Sequence, residues 1–446
     1  GDSSNNTLDG FSGTHDTLSY SNSSNGVYVN LGSQVTTDIS GDNVADGIIA
    51  NTAQGVINNS EIGTDTIRNF DDVIGGIGKD TIVGNAGDNT LDGGNGDDLL
   101  LGGDGADKLI GGIGSDTASY LLDKSSDNNT AGVKVSLRQA TGTDGWGNTD
   151  TFDSIENIIG SNFDDTIEGD AGANILDGAG GINTLTYENV TIGGVTVNLS
   201  QEVNNTGSDG IDTIRNFQNL IGSSTQSDNL TGNDAVNTIK GLGGNDTIDG
   251  GKGSDTLYGG AGNDTFKVYL GDGNDTIDGY EDGTSVDTND ASNKDTIDYS
   301  GITDTSYHAD VDLSAGTPVG RVIKDSDSSV EQTDTLINIE NVLGSSGNDT
   351  ITGSNEANIL NGASGDDKFI IKGSIADNKG DVIIGGTHTV IGGTQGMTNA
   401  AVGKGDTVDY SNLSDNIILT MANGTGITNV TLGADINNHT FSGIEN

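Results

Sequence analysis

The stretch GGIGKDTIVGNAGDNTLDGGNGDDLLLGGDGADKLIGGIGSDTAS, residues 75–119, divides into five lines of nine. Each line opens with Gly and carries another Gly at position four. Position six is Asp or Asn (Asp80, Asn89, Asp98, Asp107, Asp116), and position eight is apolar (Ile82, Leu91, Leu100, Leu109, Ala118). The glycines permit a tight turn whose carbonyls converge. Residues seven to nine then form a short strand whose middle side chain points inward. Two lines make one coil, and stacked coils make two parallel sheets across a thin core. One apolar residue in nine buries too little surface to offset the entropy of ordering the other eight, so something besides a core must hold the stretch together.

The nonapeptide G-x-x-G-x-[DN]-x-U-x, with U apolar, recurs at residues 1–18, 160–186, 232–267 with a coda at 271–278, and 344–370. The second line of a block tends to lose a glycine and to carry Asn at six, as at Asn6, Asn89, Asn174, Asn237 and Asn358. Each block leaves through a D-T-x-x-Y-like step ending at Tyr20, Tyr120, Tyr187, Tyr299 or Tyr410. The recurrence of these tyrosines at one place reads as a set of roll-end caps. An alternating strand follows (VYVNL at 27–31, VKVSL at 133–137, VTVNL at 195–199, ADVDL at 309–313), and these strands read as exposed edges. A polar loop then leads to an entry strand, at 65–75, 150–160, 212–222 or 334–344.

This larger unit predicts five modules: a truncated first one at 1–64, then 65–149, 150–211, 212–333 and 334–446. The closing FSGIEN, residues 441–446, reads as an entry strand cut before its roll, and residues 1–9 match the second line of a block. A segment of a longer tandem array is therefore expected. No helix is expected, because glycine is dense and apolar residues show no 3.6-residue period.

Composition narrows the chemistry. The 446 residues hold 73 Gly, one Pro and no Cys, and 67 acidic against 17 basic side chains give a formal charge of -50. Such a chain repels polyanions, which argues against nucleic acid and membrane insertion and for cations as partners. High charge with few aromatics is also a mark of disorder, but a disordered tract has no reason to place an apolar residue every ninth position. Without disulfides, a secreted chain needs another stabiliser, and bound metal is the usual one. No apolar run is long enough to cross a membrane as a helix. Stacked coils align the position-six carboxylates in rows, where a divalent cation turns repulsion into attraction. An oxygen-only environment suits Ca²⁺ better than Zn²⁺ or Cu²⁺, and Mg²⁺ resists the dehydration required.

The five lines from Gly75 resemble the calcium-binding nonapeptide of the RTX (repeats in toxin) family, and the longer module is similar to those of large RTX surface proteins. The resemblance implies an all-β fold, a right-handed parallel β-roll in tandem blocks, with several Ca²⁺ held between adjacent turns. Carried over residue by residue, the carboxylate ligands are Asp80, Asp98, Asp107, Asp116, Asp165, Asp246, Asp255, Asp264, Asp275, Asp349 and Asp367. Carbonyls of the glycine turns complete the set, at Gly78, Gly96, Gly105, Gly114, Gly244, Gly253 and Gly262. Lines with Asn at six, such as Asn89, imply weaker or vacant sites.

Other chemistry finds little support. GGIGKDT (75–81) lacks the Ser or Thr that follows Lys in a phosphate-binding loop. Adjacent pairs such as Asp71–Asp72 and Asp97–Asp98 are inevitable in so acidic a chain. His15, His308, His388 and His439 are scattered, and Trp146 lies in a Gly- and Asn-rich loop, where packing against its own module is the simpler reading. No catalytic role is expected. The expected function is that of a secreted structural protein of a bacterial cell surface (an S-layer subunit, surface fibre or adhesin stalk). The resemblance implies export by type I secretion. Folding and self-association into a fibre or lattice are expected on Ca²⁺ binding, with cell-surface polysaccharide a further candidate partner. The alternative is the carboxyl-terminal roll of a secreted protease, lipase or polysaccharide epimerase whose catalytic domain lies outside the chain. A pore-forming toxin would need an amphipathic apolar region, which the sequence lacks.

Overall fold

The structure is a computed structural model that describes residues 6–11, 15–32, 52–55, 64–123, 132–205, 207–280, 294–314, 316–370, 382–384, 407–409, 417–419, 427–432 and 439–442. Of the features named above, residues 1–5, His388, Tyr410 and residues 443–446 lie outside the described residues. The described residues form short strands and turns, with one 3-10 turn at Gly207–Asp209 and no α-helix. Two compact units result: Gly1–Val190 with Val195–Ile221, and Thr191–Gly194 with Gly222–Asn446. The expected module boundary at 212 falls inside the first unit, because Ile211–Arg215 pairs with Ile175–Asp177.

Each nonapeptide folds as its pattern dictates, turning through its glycine positions and extending over its last three. Thr81–Val83, Leu99–Leu101 and Thr117–Ser119 pair in parallel, with Ile82 beside Leu100 and Leu100 beside Ala118. The lines between them go to the opposite sheet, where Thr90–Asn95 and Lys108–Ile113 pair with Leu91 beside Leu109. All five inward side chains are at most 1% exposed. The core is thus two files of side chains, one residue wide.

In the first unit one sheet continues from Thr117–Ser119 through Asn157–Ile159 and Ile175–Asp177 to Ile211–Arg215. In the second unit Asn229–Thr231, Thr247–Asp249, Thr265–Lys267, Thr296–Asp298 and Asn341–Leu343 form one such sheet. Thr238–Gly243, Thr256–Ala261, Thr276–Asp278 and Ser329–Ile337 form its counterpart. The fold is a parallel β-roll of the all-β class. One detail departs from simple pleating. Val83, Leu99 and Leu101 point outward yet are buried, because Tyr28 and Leu122 pack against them.

Each entry strand proves to be two strands on opposite sheets. Residues 65–75 divide into Thr64–Arg68 and Asp72–Ile74, and 150–160 into Thr149–Asp153 and Asn157–Ile159. The corners are Asn69, Ser154, Asn216 and Asn338, at φ of 57°, 55°, 60° and 53°. An entry segment is therefore a nonapeptide in which Asn or Ser takes the left-handed corner that glycine takes elsewhere.

Three of the four alternating strands, expected as exposed edges, are interior, while Thr196–Asn198 does end its sheet. Lys134–Ser136 pairs in parallel with Thr166–Glu168 and antiparallel with Thr141–Thr143. Thr141–Thr143 pairs in turn with Thr149–Asp153, which rejoins Lys108–Ile113 in parallel. The chain overshoots by two strand places and a hairpin returns to fill the gap. Val27–Asn30 and Tyr307–Asp312 are flanked on both sides in the same way.

The exit-step tyrosines lie in the core, and Tyr120 and Tyr299 sit beneath the middle strands of these hairpins. Tyr20, Tyr120, Tyr187 and Tyr299 are at most 4% exposed. Tyr120 donates its hydroxyl proton to Asp150 at 3.0 Å. A Cβ at Gly142, the centre of the middle hairpin strand, would lie 2.5 Å from the Tyr120 hydroxyl and 3.0 Å from the Phe152 ring. Gly142→Ala is therefore expected to cost about 1–3 kcal/mol, the usual penalty of overpacking. Calorimetry should show a lower melting temperature for the first unit, and an unchanged one would remove the tyrosine from this role.

Candidate metal centre

Stacking turns the position-six side chains into columns. The Asp80 N–H donates to Asp98 Oδ1 at 2.7 Å, and the Asp98 N–H to Asp116 Oδ1 at 2.8 Å. In the second column of that roll, Asn89 donates to Asp107 at 2.8 Å and Asp107 to Asp150 at 2.9 Å. The second unit repeats this from Asp228 through Asp246 and Asp264 to Asp295. Its other column runs from Asn237 through Asp255 and Asp275 to Asp334. Each Oδ1 is thus held by the backbone of the preceding coil.

The second oxygen separates the sites. Asp98, Asp107, Asp116, Asp246, Asp255 and Asp264 are at most 1% exposed, and their Oδ2 atoms are buried without a hydrogen-bond donor. Each Oδ2 lies against the glycine that opens its own line. A Cβ at Gly241 would sit 2.2 Å from Asp246 Oδ2 and 2.6 Å from the Gly259 carbonyl oxygen of the next coil. At Gly259 the same point is 2.3 Å from Asp264 Oδ2 and 2.7 Å from Gly279 O. Two oxygens therefore converge on one spot, one of them a carboxylate.

The position-four glycines Gly96, Gly105, Gly114, Gly244, Gly253 and Gly262 have φ between 129° and 158°. A Cβ on Gly114 or Gly262 would meet the carbonyl of Gly96 or Gly244, one coil earlier, so these carbonyls form a column of their own. Gly78, on the opening line of its block, packs instead on the backbone of Asn25 and Gly26.

Burial lifts the carboxyls well above the usual carboxylate range. Asp98 and Asp255 are pushed up to about 7, Asp107 and Asp246 to about 8, and Asp116 and Asp264 to about 6. Neighbouring carboxylates add to the effect of burial at Asp98, Asp107 and Asp255. A buried anionic oxygen without a donor, beside peptide carbonyls, is costly by itself. It is the setting that a hard oxygen-seeking cation completes. Among the described residues no three His, Asp or Glu side chains converge on one point. A cation here would be held by single carboxylates and turn carbonyls, and that donor set fits Ca²⁺.

Asp80, Asn89, Asp165 and Asp349, by contrast, are already satisfied by protein donors. Asp165 accepts from the Val133 N–H at 2.8 Å and from both the N–H and hydroxyl of Ser161 at 2.7 Å. Asp349 has the same arrangement with Ala309 and Ser345. Asp80 accepts from Val27 and Gly76. At Asn89 the side-chain oxygen accepts from the Asn85 N–H at 2.7 Å, and the amide donates to Asp71 O at 2.7 Å. Asp275 and Asp367 take their column places, accepting from Asp255 and Asp349 at 2.8 and 2.9 Å.

Sequence reasoning missed Asp228, Asp295, Asp150 and Asp334 as column members. Asp228 hides behind a ten-residue line, 222–231, that breaks the nine-residue count. The other three stand in entry and exit segments, where the D-T-hydrophobic triplet was the available signal. Of the histidines, His308 pairs with Asp325 at 2.5 Å, and His15 lies 3.8 Å from Asp72.

Most residues of the columns lie in segments that match a known repeat family. The family model described as the RTX calcium-binding nonapeptide repeat matches residues 74–109, 83–118, 150–185, 231–266, 267–282 and 338–369. The chain carries RTX calcium-binding repeats in several copies. The matches cover the column segments that hold Asp98, Asp107, Asp116, Asp246, Asp255 and Asp264, and calcium ions are the partner this repeat implies. They leave out the returning hairpins, such as Lys134–Ser136 with Thr141–Thr143. A search of curated proteins finds no match to this chain. None of its helices is long and apolar enough to cross a membrane, among the described residues.

Proposed function

We propose that this protein is a secreted, non-catalytic structural component of a bacterial cell surface, an S-layer, fibre or adhesin stalk, whose rolls fold and assemble when calcium fills the turn columns. The observation that carries this reading is the set of six buried Oδ2 atoms without donors, at Asp98, Asp107, Asp116, Asp246, Asp255 and Asp264. They make the folded state incomplete without a cation. Coupling of folding to a metal abundant only outside the cell supports export as an unfolded chain. A formal charge of -50 supports the same order of events, because the chain repels itself until cations bind. Extracellular calcium modules bind at roughly 10⁻⁴–10⁻³ M, a range that leaves a cytoplasmic chain metal-free.

Electron microscopy and light scattering of the protein, with millimolar calcium and after chelation, test the structural role. Calcium-dependent fibres or sheets are expected. A monodisperse monomer under both conditions would sink that role and favour the roll of a secreted enzyme.

A further inference from the structure

We infer that the roll at residues 160–186 is closed without calcium, its cation places being taken by hydrogen-bonded side-chain amides. The inference rests on the calcium reading for the neighbouring rolls and departs from it for this one. The three position-six residues here are Asp165, Asn174 and Asn183.

Asn183 shows the substitution directly. A Cβ at Gly178 would sit 2.6 Å from Asn183 Nδ2 and 2.7 Å from Asn216 O. At Gly259 the corresponding neighbours are Asp264 Oδ2 and Gly279 O. The pair is oxygen against oxygen in one roll and nitrogen against oxygen in the other. The Asn183 amide donates to Gly178 O at 2.8 Å, Gly180 O at 3.0 Å and Asn216 O at 2.9 Å. Its oxygen accepts from the Asp165 N–H at 2.9 Å, so the side chain stays in the column while its nitrogen binds the carbonyls. Asn183 is as buried as the six aspartates of the neighbouring rolls, but its amide hydrogens already engage the carbonyls that an ion would need.

The other two places are filled as well. Asn174 donates its amide to Glu156 O at 2.8 Å and accepts from the Asp170 N–H at 2.8 Å. Asp165 has donors on both oxygens, from Ser161 and Val133. None of the three side chains has a buried polar atom without a partner, unlike the six aspartates of the rolls at 75–119 and 232–267. A fixed positive charge flanks the roll as well. The Arg138 guanidinium pairs with Asp209 and lies 3.5 Å from Glu168, whose side chain is 2% exposed. The family model matches this segment too, at 150–185, so the repeat pattern alone does not separate it from the calcium-binding lines.

Hydrogen exchange read by mass spectrometry on the full chain, in calcium and after chelation with EGTA, tests the difference. Peptides from 160–186 should keep their protection in EGTA while those from 93–119 and 241–267 lose theirs. Loss in all three overturns the inference. Retention in all three overturns the calcium reading of the neighbours, and the contrast falls with it. Asn183→Asp gives an independent arm, because it restores the oxygen-against-oxygen arrangement. In this variant the protection of 160–186 should fall about tenfold or more in EGTA and recover in calcium. Insensitivity of the variant to EGTA, or a loss that calcium does not restore, would show that the Asn183 amide does not stand in for an ion.

Discussion

Chelation of calcium near neutral pH is expected to unfold the rolls at residues 75–119 and 232–267 and remove most of their strand signal in circular dichroism. The magnitude follows from mass action. A site filled at ten times its dissociation constant stabilises the folded state by about 1.4 kcal/mol. Asp98, Asp107, Asp116, Asp246, Asp255 and Asp264 carry the orphaned oxygens. With one ion for each, the sum is about 8 kcal/mol, as large as the whole stability of an ordinary domain. Substituting magnesium should not restore the signal, since it gives up its water less readily than calcium. Asp107→Ala should raise the calcium midpoint of its own roll and leave the roll at 344–370 unchanged. An equal melting temperature in calcium and in EGTA would sink the coupling of metal to folding.

The second large effect is a reversal of pH dependence by calcium. Burial holds Asp98, Asp107, Asp116, Asp246, Asp255 and Asp264 at about 6 to 8, against an ordinary 3.8. Without metal, the folded chain therefore binds more protons than the unfolded chain. Stability contributed by these groups is fully present below the ordinary value and is lost as pH rises through 6 to 8. The physical cause is burial, which penalises the carboxylate and not the neutral carboxyl. Calcium requires the ionised form, so its stabilisation grows over the same window. In metal-free buffer, the melting temperature should be higher at about pH 5 than at about pH 8, and in millimolar calcium the order should invert. The same order in both conditions would show that these carboxylates do not face the ion.

These two effects come from different features of one pattern. Repetition of Gly at positions one and four, Asp at six and an aliphatic at eight determines the coil. The local reason is that only glycine accepts the turn conformation and the close carbonyl contacts at Gly96 or Gly262. The inward files of Ile82 with Leu100 and of Leu91 with Leu109 were legible for the same reason, as were the rows of Asp98 with Asp116 and of Asn89 with Asp107. Net charge and the absence of cysteine by themselves point to a cation.

Which of those aspartates lack a donor was not legible, because it depends on residues distant in sequence. Asp165 is satisfied by Val133, and Asp80 by Val27. Both donors belong to strands that overshoot their sequential place and return by a hairpin. The same overshoot buries Lys134–Ser136 in the middle of a sheet and puts Tyr120 under Gly142, where local alternation suggested an exposed edge and a cap. Sequence by itself determined the repeat, its period and the chemistry it favours, because each is set within nine residues. Only the tertiary structure decided which lines are left with a bare carboxylate oxygen and which are closed by an amide or a serine, because that depends on which strand the stack brings alongside.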